Sequence, residues 1–178
     1  MKLKFLFIAI TTLLVSISAK AQKFGYVDSD YILGQMTEYK AAQKQLTELS
    51  TKWENEIKVM KDEVDKMYKD YKAEEVLLSD VQKKEREDAI VAKEDALKKF
   101  EQEKFGVNGE LFKKRQELIR PIQDKIATAI AKVAKDNNLD FIFDKSANMN
   151  ILYSNPKYDK SDEVLDELGV TPTEIKKD

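Results

Sequence analysis

The residues whose spacing could support acid–base chemistry or ion binding are carboxylates that come in runs. Asp62, Glu63 and Asp65 form one group, and Glu85, Glu87 and Asp88 another. Paired carboxylates serve general acid–base catalysis or calcium binding when a pocket shifts their pKa values or gathers their oxygens around one point. Both groups are interleaved with lysines at helical spacing, the pattern of a solvated helix face. Histidine and cysteine are absent from the sequence, which removes the usual neutral-pH acid and base, the commonest metal ligand and the thiolate nucleophile. There is no G-x-x-x-x-G-K-[ST] loop, no H-E-x-x-H and no G-x-S-x-G, so phosphate cradling, zinc chemistry and the common nucleophiles lack their residues. The expectation is a protein that is not an enzyme and takes no cofactor and no metal.

The elements behind those charges are long helices. From Tyr39 to Tyr71 the residues Tyr39, Ala42, Leu46, Leu49, Trp53, Ile57, Met60, Val64, Met67 and Tyr71 recur at gaps of three and four, the seam of a coiled-coil helix. About forty residues at ~1.5 Å each make an arm of roughly 60 Å. Its outer face offers Glu54/Lys58, Asp62/Lys66 and Asp65/Lys69 at the i,i+4 spacing. Ser79-Asp80-Val81-Gln82 has the form of a capping box and starts a returning helix, which places the tip near 78–80. The return stripe is looser: Val81, Glu85, Ala89, Ala92, Ala96, Phe100, Val107, Leu111, Leu118, Ile122, Ile126, Ala129 and Val133. Folding about Leu78 and Ser79 sets Trp53 opposite Lys104 and Phe105, and Gly106 and Gly109 opposite Leu49 and Thr51. Two glycines within one turn mark a hinge, which alanine at both positions should stiffen. Pro121 cannot donate to Glu117 and is the expected kink.

Short strand-like pieces flank the hairpin. Phe24-Gly25-Tyr26-Val27 reads as one strand, followed by a brief helix that bends at Gly34. Leu139 to Phe143 alternates so as to put Leu139, Phe141 and Phe143 on one face, and Ile151-Leu152-Tyr153 reads as a third strand. Ser161 or Asp162 is the expected cap of a short helix that Gly169 ends. Strands this short bury too little area to offset the ordering of the chain, so the body is expected to oligomerise through Phe24, Tyr26, Leu139, Phe141, Phe143 and Leu152. The predicted organisation is α+β and predominantly helical. Residues 22–36 and 119–178 form a small β-barrel-like oligomerisation body, and 37–118 form a long antiparallel coiled-coil hairpin arm.

The N-terminus carries Lys2 and Lys4, an apolar run from Phe5 to Ile17 and the Ala19-Lys20-Ala21 pattern, so residues 1–21 read as a secretory signal peptide cleaved before Gln22. No later segment is long and apolar enough to span a bilayer, so the mature chain is expected to be periplasmic, without an integral membrane segment. Losing Lys2, Lys4 and Lys20 takes the formal charge from −2 to about −5, the wrong sign for a nucleic-acid binder. Against that balance, Lys113 to Asp136 holds seven basic and three acidic residues. These could line a positive cavity roof or simply solvate the helix.

The order of these features resembles the Skp/OmpH family of periplasmic chaperones: a signal peptide, a strand ending Gly-Tyr-Val-Asp, a helical hairpin with a Ser-Asp tip, then Leu-Asp-Phe-Ile-Phe-Asp and Ile-Leu-Tyr-Ser. The resemblance spans nearly all of the mature chain, and its specificity lies in the two ends, Phe24 to Leu33 and Leu139 to Leu168. It implies a homotrimer whose β hub joins three flexible arms, caging unfolded outer-membrane proteins and preventing their aggregation without ATP. Familiar members are basic, whereas this chain is acidic. Their arginine-rich stretch is replaced by Phe105-Gly106-Val107-Asn108-Gly109, so no lipopolysaccharide site is carried over. Tyr68, Phe105 and Phe112, off the best apolar stripe, are the candidates for client contact. The alternative is a coiled-coil adaptor or spacer of the cell envelope, but the segments flanking the arm leave no room for the extra β domains such adaptors carry.

Overall fold

The computed structural model describes residues 22–146 and 151–172. The expected signal peptide lies outside the described residues. Chain contacts divide the fold into two compact units, one formed by the residues up to Ile32 together with those from Thr128 onward, the other by Leu33–Ala127.

In the first unit, β1 (Phe24–Val27) and β2 (Phe141–Asp144) pair in parallel, with Phe24 opposite Phe141 and Tyr26 opposite Phe143. Helix α1 (Ser29–Gln35) follows β1 and includes Gly34; the chain bends two residues later, at Met36, whose backbone is extended at φ −78° and ψ 117°. Parallel pairing leaves a narrow ribbon, and the chain from Pro156 to Lys160 closes over it. Tyr26 bridges to Asp159, and the Lys160 amide donates to the Tyr26 carbonyl at 2.8 Å. That approach explains Gly25: a Cβ there would meet Leu139 Cδ1 at 3.1 Å, Lys160 Cγ at 3.2 Å and the Tyr158 carbonyl at 3.3 Å. Val27, Val164 and Leu165 are fully buried. The expected third strand is not formed, because residues 151–155 have no regular structure and Leu152 is almost wholly exposed. Nor does the strand alternation reach Leu139. Its amide donates to the Ala134 carbonyl in the turn that ends the preceding helix, where Asn138 takes a left-handed φ of 52°.

In the second unit, α2 (Thr37–Glu74) is 38 residues long and α3 (Asp80–Phe105) returns against it. A 3₁₀ turn, Glu75–Leu77, precedes the tip. Ser79 and Gln82 form the complete capping box there. The antiparallel register is read from Glu63 with Lys93, Tyr71 with Glu87, Glu74 with Arg86 and Trp53 with Phe105. All ten expected seam residues of α2 are buried or half-buried.

The return side differs from the expectation. Val81, Glu85, Ala89, Ala92 and Ala96 face solvent, while Ile90 is buried and Leu97 half-buried. Ile90 and Leu97, seven apart, offer far more apolar area than three alanines, and area decides which face turns inward. The three i,i+4 pairs expected on α2 are not the ones formed. Pairs within that helix join Lys44 to Glu48 and Lys52 to Glu56, while Lys61 and Glu63 reach across to Glu101 and Lys93.

The return helix is also two helices. It stops at Phe105 and resumes as α4 (Glu110–Asp136), which continues through Pro121 without interruption. Ile122, Ile126, Ala129 and Val133 are buried on the stripe that the sequence indicated. The last described helix, α5 (Ser161–Glu167), ends with Gly169 at φ 70°. Its expected cap is displaced: Lys160 holds the cap position, and Ser161 is the first helical residue.

Candidate functional site

Among the described residues no group of three or more acidic, histidine or cysteine side chains could hold a metal ion. The surfaces with functional potential are exposed apolar ones.

The first lies on the ribbon. Residues paired in a parallel register point to the same side, so Phe24, Tyr26, Phe141 and Phe143 share one face. Tyr26 is buried, but Phe24, Phe141 and Phe143 remain 50%, 52% and 40% exposed. Phe141 and Phe143 stack with centroids 6.3 Å apart, and Phe24 leans on Tyr158 at 5.2 Å. Thus four of the six residues expected to drive assembly are brought together. Leu139 packs near Gly25 instead, and Leu152 lies in the irregular segment.

A hydrogen-bonded frame holds the end of this ribbon. Ser29 donates from both its amide and its hydroxyl to Asp144, at 3.1 and 2.6 Å, and Ser146 donates likewise at 3.1 and 2.8 Å. Burial alone would push the Asp144 carboxyl up, but these four donors stabilise the anion more, and its pKa lies below the ordinary 3.8. The Ser161 hydroxyl accepts from the Asp28 amide at 2.9 Å and donates to Asp159 at 2.6 Å, which is why this serine is buried instead of capping. Glu163 is held low in the same way, its burial outweighed by Lys160 and Asn137.

The second surface is on the hairpin. Trp53 and Phe105 meet edge to face at 6.0 Å. Lys104 lies 5.3 Å from both the Trp53 and Phe100 rings and reaches past the helix break to Glu110 at 2.6 Å. Two open grooves flank this cluster. Glu54, Ile57, Lys58, Lys61, Glu101 and Phe105 line one of about 480 Å³. The other, of about 550 Å³, is lined by Lys52, Asn55, Glu56, Val59, Met60 and Phe100. Phe105 is therefore partly engaged in packing, whereas Tyr68 and Phe112 stand about half exposed. Near the tip the Tyr71 hydroxyl donates to Glu87 at 2.5 Å, and this bond raises the phenol to about 12.

Sequence reasoning missed two features here. Val76 and Leu77, at 89% and 83% exposed, make the tip apolar; adjacent apolar residues that fit no seam were the available signal. The staple from Lys104 to Glu110 had none, because its logic depends on where the helix stops.

The family model described as outer membrane protein (OmpH-like) matches residues 23–168. The chain belongs to the OmpH-like family. A solved structure of a candidate OmpH-like outer membrane chaperone from Caulobacter crescentus is similar to this OmpH-like chain in fold, with a TM-score of 0.65 at 16% identity. The alignment covers 89% of this chain and 91% of that one. No match is found among curated proteins. No described helix of this OmpH-like chain is long and apolar enough to cross a membrane.

Proposed function

We propose that this OmpH-like protein is an ATP-independent holdase of the periplasm that binds unfolded outer-membrane proteins and keeps them from aggregating. The observation that carries the reading is the uncovered aromatic face of Phe24, Phe141 and Phe143 in a family member whose helical hairpin presents open grooves. Rings half exposed on a two-stranded ribbon call for cover, and further copies of the chain, three in this proposal, supply it. Hairpins held by such a hub surround a client with many weak apolar and charged contacts, which gives avidity without a fixed binding geometry. By linkage, binding the unfolded chain lowers the amount free to aggregate, and no nucleotide is required. Export through a cleaved N-terminal signal places the protein with its clients. Tyr68, Phe105 and Phe112 are the proposed contact residues, and Gly106 and Gly109, in the turn that divides the return helix, the points at which the arm adapts.

Light scattering with a urea-denatured outer-membrane β-barrel, diluted into stoichiometric assembled protein without ATP, tests this. Scattering should be suppressed; undiminished aggregation overturns the holdase reading. The exposed tip, Val76 and Leu77, favours a second reading as an envelope adaptor that docks tip-first on one partner. Suppression that survives Val76→Ser with Leu77→Ser would count against the adaptor and for the holdase.

A further inference from the structure

The turn that divides the return helix carries a reactive pair. Asn108 and Gly109 are adjacent, Asn108 is exposed, and its backbone has a left-handed φ of 62°. An asparagine side-chain amide is an electrophile, and the next residue's backbone nitrogen is the nucleophile nearest to it. Glycine at that position offers no Cβ to hinder the approach. We propose that Asn108 is a site of spontaneous deamidation, gated by opening of the Gly106–Gly109 turn.

The step needs only water. After the Gly109 N–H gives its proton to solvent, the nitrogen attacks Asn108 Cγ; a C–N bond forms and Nδ2 leaves as ammonia. The resulting five-membered succinimide then takes up water. Opening at Cγ yields aspartate at position 108, whereas opening at the backbone carbonyl routes the chain through the side chain as isoaspartate. Nothing is oxidised or reduced. Either product adds a negative charge to a groove lined by Glu103 and Glu110 and also by Lys99 and Lys113, and the second also lengthens the link between two helices by one backbone bond.

The gate is visible in the hydrogen bonds. The Gly109 N–H that must be deprotonated donates to the Gly106 carbonyl at 2.8 Å, and the Gly106 N–H donates to Gln102 at 2.9 Å. Lys104 clamps the same turn from outside through Glu110 and the Trp53 ring. Reaction therefore waits for local opening. Asn138 is an internal control: it shares the left-handed backbone, yet the Leu139 side chain crowds its nucleophilic nitrogen and the Leu139 N–H is bonded to Ala134.

The test is peptide mass spectrometry on the full chain incubated at mildly alkaline pH, folded or in urea, following the tryptic peptide that ends at Lys113. The folded protein should convert at Asn108 at least about tenfold more slowly than the urea-unfolded chain, the ratio imposed by an opening free energy of about 1.4 kcal/mol. Lys104→Gln, which removes the clamp, should speed conversion in the folded state. Asn108→Gln should abolish the product, and Asn138 should stay intact. Equal rates in folded and unfolded wild type would overturn the gate. If the folded wild type and Lys104→Gln both stay unmodified while the unfolded chain converts, Asn108 is not a site in the native protein.

Discussion

At Asp144 four hydrogen bonds converge on one half-buried carboxylate, and the consequence is a pH dependence with a definite sign. Its pKa is lower in the folded than in the unfolded chain. Its stabilisation is therefore present above the unfolded value of about 3.8 and fades as pH falls through the lower folded value. Asp144→Asn should cost about 1 kcal/mol at neutral pH after allowance for solvent screening, and the gap to wild type should close in strong acid. Urea denaturation of both proteins across the acid range measures this, and a gap independent of pH would contradict it. The same scale explains the two glycines of the turn. A Cβ at Gly106 would sit 2.3 Å from the Gln102 carbonyl, and one at Gly109 2.9 Å from the Gly106 carbonyl. The double alanine replacement that the sequence suggested as a stiffener would instead force the turn apart.

Among the elements, α3 is the one whose inward face the sequence and the structure assign differently, so it supplies the sharpest contrast. Ile90 is buried and Ala92 exposed. Ile90→Ala should destabilise the hairpin by about 2 kcal/mol, the low end for a buried aliphatic truncation because the seam is only two helices thick. Ala92→Ser should change stability by no more than about 0.5 kcal/mol. Thermal unfolding followed by helical circular dichroism separates the two, and equal losses would restore the alanine face as the interface. The tip is encoded locally. Ser79 and Gln82 satisfy each other's backbone within four residues, and no distant contact is needed to complete the box.

For the whole molecule the proposed assembly rests on the exposed aromatic face. Phe141 is 52% exposed in the single chain, so Phe141→Asp should barely alter the helical signal or melting of each subunit's own fold. In an assembly the same charge would enter a shared apolar layer without a partner. Multi-angle light scattering should give about three chains for the wild type and one for the variant, as expected for a closed cyclic oligomer. A trimeric mass for Phe141→Asp would show that copies associate elsewhere.

The sequence by itself determined the features that local spacing encodes. The α2 seam, the capping box at Ser79, the strand Phe24–Val27, the buried stripe from Ile122 to Val133 and the glycine stop after α5 all follow from contacts within a few residues. Tertiary structure decided the rest, because each remaining choice compares distant alternatives. Ile90 and Leu97 turn inward because α2 is there to bury them, and Lys61 and Glu63 pair across the seam with Glu101 and Lys93. Ser161 leaves its cap for Asp28 and Asp159, more than a hundred positions separating the first pair, and Leu139 is drawn from the aromatic face by a helix-ending turn. Periodicity ranks the faces of one element; only the element packed against it decides which face is worth burying.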